Sequence, residues 1–398
     1  MNYTSLKKMY YKNRNEYKKI YEKRFSEGVH LDIEVNGNPA FYVEDVDIYK
    51  KINSILRINE ELILLVGALP GIARTHYTNK CLIDEIILTN DIEGVRSTRK
   101  ELGTILNDLG KRNKKNRFYG LVGEYVALQS NVDLKLSNSQ DIRNIYDTLF
   151  LEEVKAEDPE DIPDGEIFRR GPVSVIKATQ KAIHSGVEPE EKIIEYMEKS
   201  LQLLSNDSID ILIRTAIFHY LFGYIHPFYE ANGRMSRFIS SYILSKNLVY
   251  LIGYRISYYI KEHLNEYYRA FEECNDPKNK GDITPFIHMF ISVILGACIQ
   301  LRDELTALND RYNSYKDIIP KLSADPKIQN IYFYLIQAAL FSDIGISINE
   351  LLDLTKVTRA TLKKRLNEAE EKGLLIENKR GTNKYYMADL DKIDEITE

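Results

Sequence analysis

The amino-acid sequence predicts an all-α fold: a helical core with a small β-hairpin, a helical N-terminal extension and a C-terminal winged helix-turn-helix. Two observations favour this class. Between about residues 48 and 310, apolar residues recur at i, i+3, i+4 and i+7 in most segments. After about residue 320, three helical patterns are followed by two short strand patterns, which is the order of a winged helix.

Two of the predicted helices follow one another in the middle of the chain. They are "SIDILIRTAIFHYLFGYI" and "RMSRFISSYILSKNL", and the loops "EDPEDIPDGE" and "NDPKNKGDITP" interrupt the helical pattern elsewhere. The strand candidates in this region are "AFYVEDV", near residues 40–46, and "FRRGPVSV" at 168–175. We predict that the second stretch forms a small hairpin.

The C-terminal pattern begins with the helix "DPKIQNIYFYLIQAALF". Ser347 with Glu350 predicts the start of a second helix, and Thr358 and Gly373 predict the limits of a third. Residues 350–388 carry nine basic and six acidic residues, so this segment is basic within an acidic chain. It could bind DNA, or serve in dimerisation or target docking. The basic residues near the predicted recognition helix and wing are Arg359, Lys363, Lys364, Arg365, Lys379, Arg380 and Lys384.

The composition limits the class of protein. The chain has 398 residues, 44% of them hydrophobic, and a net charge of -5, which predicts a globular protein and argues against a wholesale polyanion binder. Cys81, Cys274 and Cys298 are too few for a disulfide framework, which favours a reducing compartment and hence the cytoplasm. The sequence has no window of eighteen uncharged apolar residues, which argues against a membrane span.

The pattern divides the chain into four parts. We predict an N-terminal helical region at 1–110, a helical core at 111–305, a linker at 306–325 and a winged helix-turn-helix at 326–398.

The stretch "HPFYEANGRMSR" at residues 226–237 joins the two core helices. The free backbone N–H groups at the start of the second helix favour an anion. Arg234 and Arg237 are three residues apart on that helix, so they could grip neighbouring phosphates. Glu230 is suited to a divalent cation that bridges phosphates, and His226 can take a proton from a hydroxyl at neutral pH.

This stretch resembles the signature of the Fic family, H-P-F-x-[D/E]-G-N-G-R-x-x-R. The resemblance implies transfer of AMP from ATP to a Ser, Thr or Tyr hydroxyl of a target protein. It implies that His226 is the catalytic base, that Glu230 holds Mg²⁺, and that Phe228 anchors the loop in the core. The phosphates would be bound by Asn232, Gly233, Arg234 and Arg237.

One position departs from the signature, because Ala231 stands where glycine is usual. Alanine also occurs there in the toxin branch typified by Doc, for which the resemblance implies phosphate transfer. That branch has lysine at the position of Gly233 and lacks the arginine corresponding to Arg237. Arg237 therefore favours nucleotide transfer, and the Cβ of Ala231 suggests reduced activity.

The segment "TNDIEG" at residues 89–94 resembles the family's inhibitory pattern, [S/T]-x-x-x-E-[G/N]. The resemblance implies an inhibitory helix ahead of the core, in which Glu93 pairs with Arg237 in the place of the γ-phosphate. In some relatives the same glutamate aligns a water that removes AMP. Glu93 with His226 could therefore also reverse the modification.

Other parts of the chain resemble further family elements. "FRRGPVSV" resembles the flap that pairs with an extended target segment, with Val175 as the contact residue. "NEYYRAFEECN" resembles the helix that lines the adenine pocket, with Tyr267, Tyr268 and Asn275 as contacts. His219 and His226 do not suggest a metal site, since no third ligand completes a spacing.

The sequence thus predicts a cytoplasmic protein AMP-transferase that uses ATP and Mg²⁺ and is autoinhibited by Glu93. One alternative is transfer of phosphate or another nucleotide at the same site. Another is a DNA-binding regulator whose core senses a ligand. A homodimer is compatible with the sequence, and no membrane partner is expected.

Overall fold

The computed structural model describes residues 3–110, 116–130, 133–176, 182–380 and 383–397. Most of these residues are helical, which confirms the predicted all-α class. The helices up to residue 204 are α1 (Leu6–Lys12), α2 (Arg14–Glu27), α3 (Val46–Ala68), α4 (Gly71–Ile92), α5 (Arg99–Asp108), α6 (Tyr119–Ala127), α7 (Ser139–Leu149), α8 (Leu151–Glu157) and α9 (Glu190–Leu204). The remaining helices are α10 (Ile211–Ile225), α11 (Asn232–Asn247), α12 (Ile256–Glu262), α13 (Leu264–Cys274), α14 (Thr284–Leu322), α15 (Pro326–Phe341), α16 (Ile348–Thr355), α17 (Arg359–Glu371) and α18 (Leu390–Thr397).

Within the described residues, the strands form three small antiparallel sheets. Two of the sheets are hairpins, β1 with β2 and β3 with β4, and the third has the order β5-β7-β6. The strands are β1 (Val29–Val35), β2 (Asn38–Tyr42), β3 (Ser174–Ile176), β4 (Ala182–Ser185), β5 (Ile346–Ser347), β6 (Leu375–Arg380) and β7 (Asn383–Ala388).

The hairpin predicted at residues 168–175 is wrong in its bounds, because β3 begins only at Ser174. The preceding residues bond to another part of the chain instead of to a strand. The Arg169 amide donates to the Pro227 carbonyl, and the Gly171 amide donates to the Tyr229 hydroxyl. The prediction also omitted β1, although Leu31, Ile33 and Val35 alternate as a half-buried strand requires. The predicted strand near 40–46 lies at 38–42.

The chain divides into two compact units. The first comprises the residues up to 59 together with residues 84–299. Its central helix is α10, which is apolar on all sides and buried over most of its length. Because α11 follows α10 after only six residues, these two helices hold the connecting stretch within the core of this unit.

The second unit comprises residues 60–83 and 300–398. Ser347 and Glu350 form the predicted capping box of α16, and Thr358 caps α17. The predicted order of three helices and a hairpin is present, and α18 follows the hairpin. The segment 306–325, which we predicted as a linker, is helical up to Leu322. The assignment of residues 326–398 to the winged-helix class stays a prediction.

Within the described residues, α14 is the one helix long and apolar enough to cross a membrane by length and composition alone. The apolar window of this helix is 61% buried inside the protein. A long core helix has the same properties, so this feature is weak evidence for a membrane span.

Candidate active site

The stretch at residues 226–231 forms a tight loop between α10 and α11. Both of its ends have left-handed backbone conformations, with φ of 54° at His226 and 64° at Ala231. His226 is thereby the residue that ends α10, and Ala231 is the residue that precedes α11. The backbone N–H groups at the start of α11 face away from the body of that helix and are available to an anion.

Two buried residues fix this loop. Phe228 is fully buried and stacks on Tyr146, with ring centroids 3.8 Å apart. The Asn232 side chain accepts a hydrogen bond from the Phe228 amide at 3.0 Å and donates one to the Phe228 carbonyl at 2.7 Å. The expected anchoring role of Phe228 agrees with this packing. The side-chain amide of Asn232 closes the loop.

A cavity of about 320 Å³ lies over the loop and the start of α11. It is large enough to hold a small ligand. Its walls come from the loop, from α11 and α13, from the residues before β3 and from the end of α4. The lining residues are Glu93, Val173, Ser174, Gly223, His226, Tyr229, Glu230, Ala231, Asn232, Gly233, Ser236, Arg237, Tyr267, Tyr268 and Phe271.

His226 is half-buried at the wall of this cavity. Its Nδ1 atom lies 3.4 Å from the Gly223 carbonyl oxygen, a long hydrogen bond. An Nδ1–H group that donates to this oxygen leaves the lone pair on Nε2. This tautomer is the one that a general base acting through Nε2 requires.

Arg237 is the buried cation of the cavity, with an exposed fraction of 1%. Its Nη2 atom lies 2.7 Å from Oε1 of Glu93, while Nε and Nη2 also donate to the hydroxyl and the carbonyl of Thr89 at 2.7 and 3.0 Å. Burial opposes the charge, but the adjacent Glu93 carboxylate raises the pKa of Arg237 above its usual value. The pair predicted between Glu93 and Arg237 is therefore formed in this geometry.

The carboxylate of Glu93 also lies against the backbone of Gly233. A Cβ atom at that position would be 2.1 Å from Oε1 of Glu93 and 3.0 Å from Nη1 of Arg237. Residue 233 therefore has to lack a side chain for Glu93 to reach Arg237 in this arrangement.

Glu93 directly follows the last residue of α4 and continues a series of residues spaced four apart along this helix. Glu85, Thr89 and Glu93 lie on one face of the helical turn. The buried carboxyl of Glu85 accepts hydrogen bonds from the amide and hydroxyl of Ser257 at 2.9 and 2.5 Å, and burial raises the pKa of Glu85 to about 7. These contacts bind α4 to α12.

Glu230 lies at the exposed edge of the cavity. The density of surrounding protein atoms and the nearby Asp161 raise the pKa of its carboxyl above the usual value, while Arg234 opposes the change. No group of three or more metal-binding side chains occurs among the residues that the structure describes. A cation here would therefore depend on one carboxylate and on oxygens of its ligand, which is how Mg²⁺ commonly binds with phosphates.

Two tyrosines of α13, Tyr267 and Tyr268, line the cavity. The Tyr267 hydroxyl lies 2.7 Å from Nε2 of His219, whose Nδ1 lies 2.8 Å from the Ser240 hydroxyl. Burial lowers the pKa of His219 to about 3, so its ring is neutral at physiological pH. Tyr268 is less buried, and burial raises its pKa to about 12. Because Tyr268 is less buried than Tyr267, its ring is accessible for stacking. The hydrogen bond to His219 fixes Tyr267.

Two expected nucleotide contacts lie elsewhere. Arg234 is buried with its Nη1 atom 2.5 Å from Glu153 and 3.3 Å from Asn90, and it is not among the residues that line the cavity. Asn275 is also outside the lining, where its side-chain oxygen accepts a hydrogen bond from Tyr220 at 2.6 Å. Val175 belongs to β3, but its side chain lies outside the part of the chain that the structure describes.

Two buried charged residues, Arg169 and Glu190, are not predicted from the sequence. Arg169 is fully buried, and its side chain donates to four backbone carbonyls. Glu190 accepts hydrogen bonds from the amides of Glu166, Ile167 and Phe168 at 2.8 to 3.0 Å. The sequence gives little indication that these two residues are buried, because "FRRG" and "PEEK" look like ordinary surface segments.

Replacing Ala231 with glycine tests the strain in the loop. A residue with a Cβ atom in the left-handed region costs about 1 kcal/mol, which glycine avoids. We expect Ala231→Gly to raise the free energy of unfolding by up to about 1 kcal/mol, reduced by the larger chain entropy of glycine. Urea denaturation of both proteins measures the difference. A loss of stability would contradict this expectation.

The Glu190 carboxylate gives a pH-dependent contribution to stability. Burial raises its pKa, but three backbone N–H donors outweigh burial and hold the pKa below the usual value of 4.5. A carboxyl whose pKa is lower in the folded state stabilises the fold above about pH 4.5, and this contribution disappears as the pH falls through the folded-state pKa. We therefore expect Glu190→Gln to cost about 1–3 kcal/mol at pH 7 and less near pH 3. Urea denaturation at both pH values checks this, and an equal loss at both would contradict it.

Comparison with known proteins agrees with this geometry. Residues 135–244 match the model of the Fic/DOC family. The fold is similar to the crystal structure of a Fic family protein from Desulfovibrio desulfuricans G20, at 21% identity and a TM-score of 0.54, over 87% of this chain and 97% of that chain. At this identity, the similarity shows a shared fold alone.

Two other structures are more distant. One is Fic-1 (residues 134–508) from C. elegans, at 19% identity and a TM-score of 0.44, over 65% of this chain and 73% of that chain. The other is a Fic domain containing signaling protein from Bacteroides thetaiotaomicron VPI-5482, at 16% identity and a TM-score of 0.42, over 66% of this chain and 97% of that chain. Residues 135–244, which include the loop and most of α11, are thus the part of this chain that is similar to the Fic/DOC family.

Proposed function

We propose that this protein transfers AMP from ATP to a hydroxyl group of a target protein and that Glu93 restrains this activity. Fic family proteins act on proteins as transferases of nucleotide or phosphate groups. The observation that carries the proposal of AMP transfer restrained by Glu93 is an ion pair. Arg237 and Glu93 lie 2.7 Å apart in the cavity that His226 also lines. The guanidinium of Arg237, the carboxylate of Glu93 and the imidazole of His226 all line this cavity, which supports the proposal.

In the proposed reaction, His226 takes the proton of the acceptor hydroxyl. The hydroxyl oxygen forms a bond to the α-phosphorus, the bond from that phosphorus to the bridging oxygen of the β-phosphate breaks, and pyrophosphate leaves. A phosphoryl-type transfer of this kind depends mainly on alignment and on neutralisation of charge. The backbone N–H groups at the start of α11 and the guanidinium of Arg237 would neutralise phosphate charge, and Nε2 of His226 would accept the proton.

The residues at the cavity fit a triphosphate with Mg²⁺. The start of α11 suits phosphate oxygens, and Arg237 suits the outermost phosphate once Glu93 leaves. Glu230 is the carboxylate that would hold Mg²⁺, and the ion would neutralise phosphate charge. Tyr268 offers a face for the base.

Transfer of phosphate or of another nucleotide at the same site is the alternative. Gly233 provides no cation of its own, so the outermost phosphate depends on Arg237. If that phosphate is held by Arg237, the α-phosphate lies nearer to His226, which favours AMP transfer. Removal of AMP through Glu93 and His226 is a second activity that this arrangement permits.

Mass spectrometry of the Glu93→Gly variant tests the proposal. After incubation with ATP and Mg²⁺, we expect peptides that carry the added mass of AMP. Added phosphate in its place would support the alternative, and unmodified protein would contradict both transfers.

The other partners remain proposals. We propose a cytoplasmic location, since the three cysteines, Cys81, Cys274 and Cys298, are too few for a disulfide framework. DNA binding by the C-terminal segment has less support than the sequence suggested, because ion pairs tie Arg365 to Glu368 and Lys384 to Glu377 at 2.7 Å each. Such pairs reduce the positive field that attracts phosphates.

A further inference from the structure

Arg169 is a buried cation that no step of the proposed chemistry uses. It is among the largest side chains of the described residues with no exposed surface. Taking a guanidinium out of water costs several kcal/mol unless its donors are satisfied. Within the described residues, the hydrogen bonds of its side chain all go to main-chain carbonyls. The positions of these carbonyls along the chain therefore show which segments Arg169 joins.

The carbonyls belong to two segments of the chain. From the end of α10, Ile225 accepts from Nη2 of Arg169 at 3.5 Å, and from the loop after it, His226 accepts from Nε at 2.8 Å. From the ends of the β3–β4 hairpin, which we call the flap, Gly171 accepts from Nη1 at 2.5 Å and Val187 accepts from Nη2 at 2.9 Å. One guanidinium thus binds both ends of the flap and the backbone of the proposed base.

The close packing around Gly186 supports this connection. A Cβ atom there would be 2.3 Å from Nη2 of Arg169, 2.8 Å from Cγ1 of Val173 and 3.2 Å from Cβ of His226. The end of the flap therefore approaches both Arg169 and His226 closely enough to exclude a side chain.

A second contact fixes the other end of the flap. The Tyr229 hydroxyl accepts a hydrogen bond from the Gly171 amide at 2.8 Å and donates one to Asp164 at 2.9 Å. Tyr229 belongs to the loop that carries His226, so the same two segments are joined again. Tyr229 lies nearer the surface than Arg169, which makes it a milder place to weaken the connection.

We propose that Arg169 is a positioning residue that fixes the flap relative to His226, so that a hydroxyl presented by the flap reaches the base. This inference rests on the proposed function. Arg169 is not among the residues lining the cavity, so it should affect the acceptor and not the nucleotide. Loss of its planar set of donors should misalign the acceptor, and small misalignments can reduce a transfer rate by about a hundredfold.

The first test measures hydrogen exchange in the full chain. In Arg169→Lys, we expect the amides of Gly186 and Val187, which bond to the Val173 and Ile225 carbonyls, to exchange about tenfold faster or more. Tyr229→Phe should produce a smaller increase, and it serves as the test if the lysine variant does not fold. Arg170→Lys is the matched control, since Arg170 is the exposed arginine next to the buried Arg169. Unchanged exchange in both test variants would overturn the proposal.

The second test measures kinetics in the Glu93→Gly background. We expect Arg169→Lys to lower kcat for protein labelling by about tenfold or more, with KM for ATP changed less than about twofold. An equal loss in ATP binding, or an unchanged kcat, would contradict a positioning role. If Glu93→Gly with native Arg169 transfers nothing, the proposed function fails, while the exchange measurement still decides whether Arg169 fixes the flap.

Discussion

We expect Glu93→Gly to label itself from ATP at least about tenfold faster than the native chain. A tenfold change corresponds to a free-energy difference of about 1.4 kcal/mol, here the loss of competition between Glu93 and ATP for Arg237. The physical reason is the pair at 2.7 Å between Glu93 and the buried Arg237, since close charge pairs of this kind couple by about 1.5 kcal/mol or more. Thr89 still holds the guanidinium through two hydrogen bonds, so Arg237 should stay in place when the carboxylate is gone.

Asp91→Asn is the matched control for this variant. Asp91 is an exposed carboxylate two residues before Glu93, and it pairs with Lys261 at 2.6 Å instead of with Arg237. The Asp91→Asn substitution should therefore leave the labelling rate unchanged. Equal rates for the native chain and Glu93→Gly, with ATP bound equally well, would show that Glu93 does not restrain the site.

The second large effect is expected from His226→Ala in the Glu93→Gly background. A positioned general base contributes about 10²- to 10⁴-fold, so we expect a loss of labelling of at least about a hundredfold. The rate of label incorporation measures this loss. ATP binding, followed by calorimetry, should change little, because Arg237 and the start of α11 remain.

His263→Ala serves as the control for the histidine variant. His263 stacks on Tyr259 at a centroid distance of 4.1 Å and is not among the residues lining the candidate cavity. Its replacement should preserve labelling. If the His226 variant keeps the rate of its parent, the proposed base is wrong, whatever the control does.

The sequence predicted the parts of the site that depend on neighbours along the chain. His226, Glu230, Gly233 and Arg237 lie within one loop and one helical turn, so their spacing alone brings them to the same cavity. Glu93 required the resemblance to the Fic family. The pairing of Glu93 with Arg237 joins segments 144 residues apart, and periodicity carries no information about such a distance.

Spacing was less informative about the direction of side chains. Arg234 and Arg237 are one turn apart, but the first pairs with Glu153 of α8, away from the cavity. Asn275 ends α13 and bonds to Tyr220 of α10. In each case a long-range partner determines the direction, and a single sequence does not reveal that partner.

The fold shows the same division between local and long-range information. The capping box of Ser347 and Glu350 and the cap at Thr358 are local, and both were predicted correctly. The start of β3 was wrong because Arg169 and Gly171 bond to the loop after α10, far away in sequence. Arg169 and Glu190 were missed for the same reason, since their partners are backbone groups of distant segments.

The most direct test of the account uses the Glu93→Gly variant with ATP labelled separately at the α- and γ-phosphates, in the presence of Mg²⁺. If AMP is transferred, the protein retains the α label, the γ label leaves with pyrophosphate, and His226→Ala removes the retained label. Retention of γ label without α label, or no retained label although ATP binds, would contradict transfer of AMP at this site.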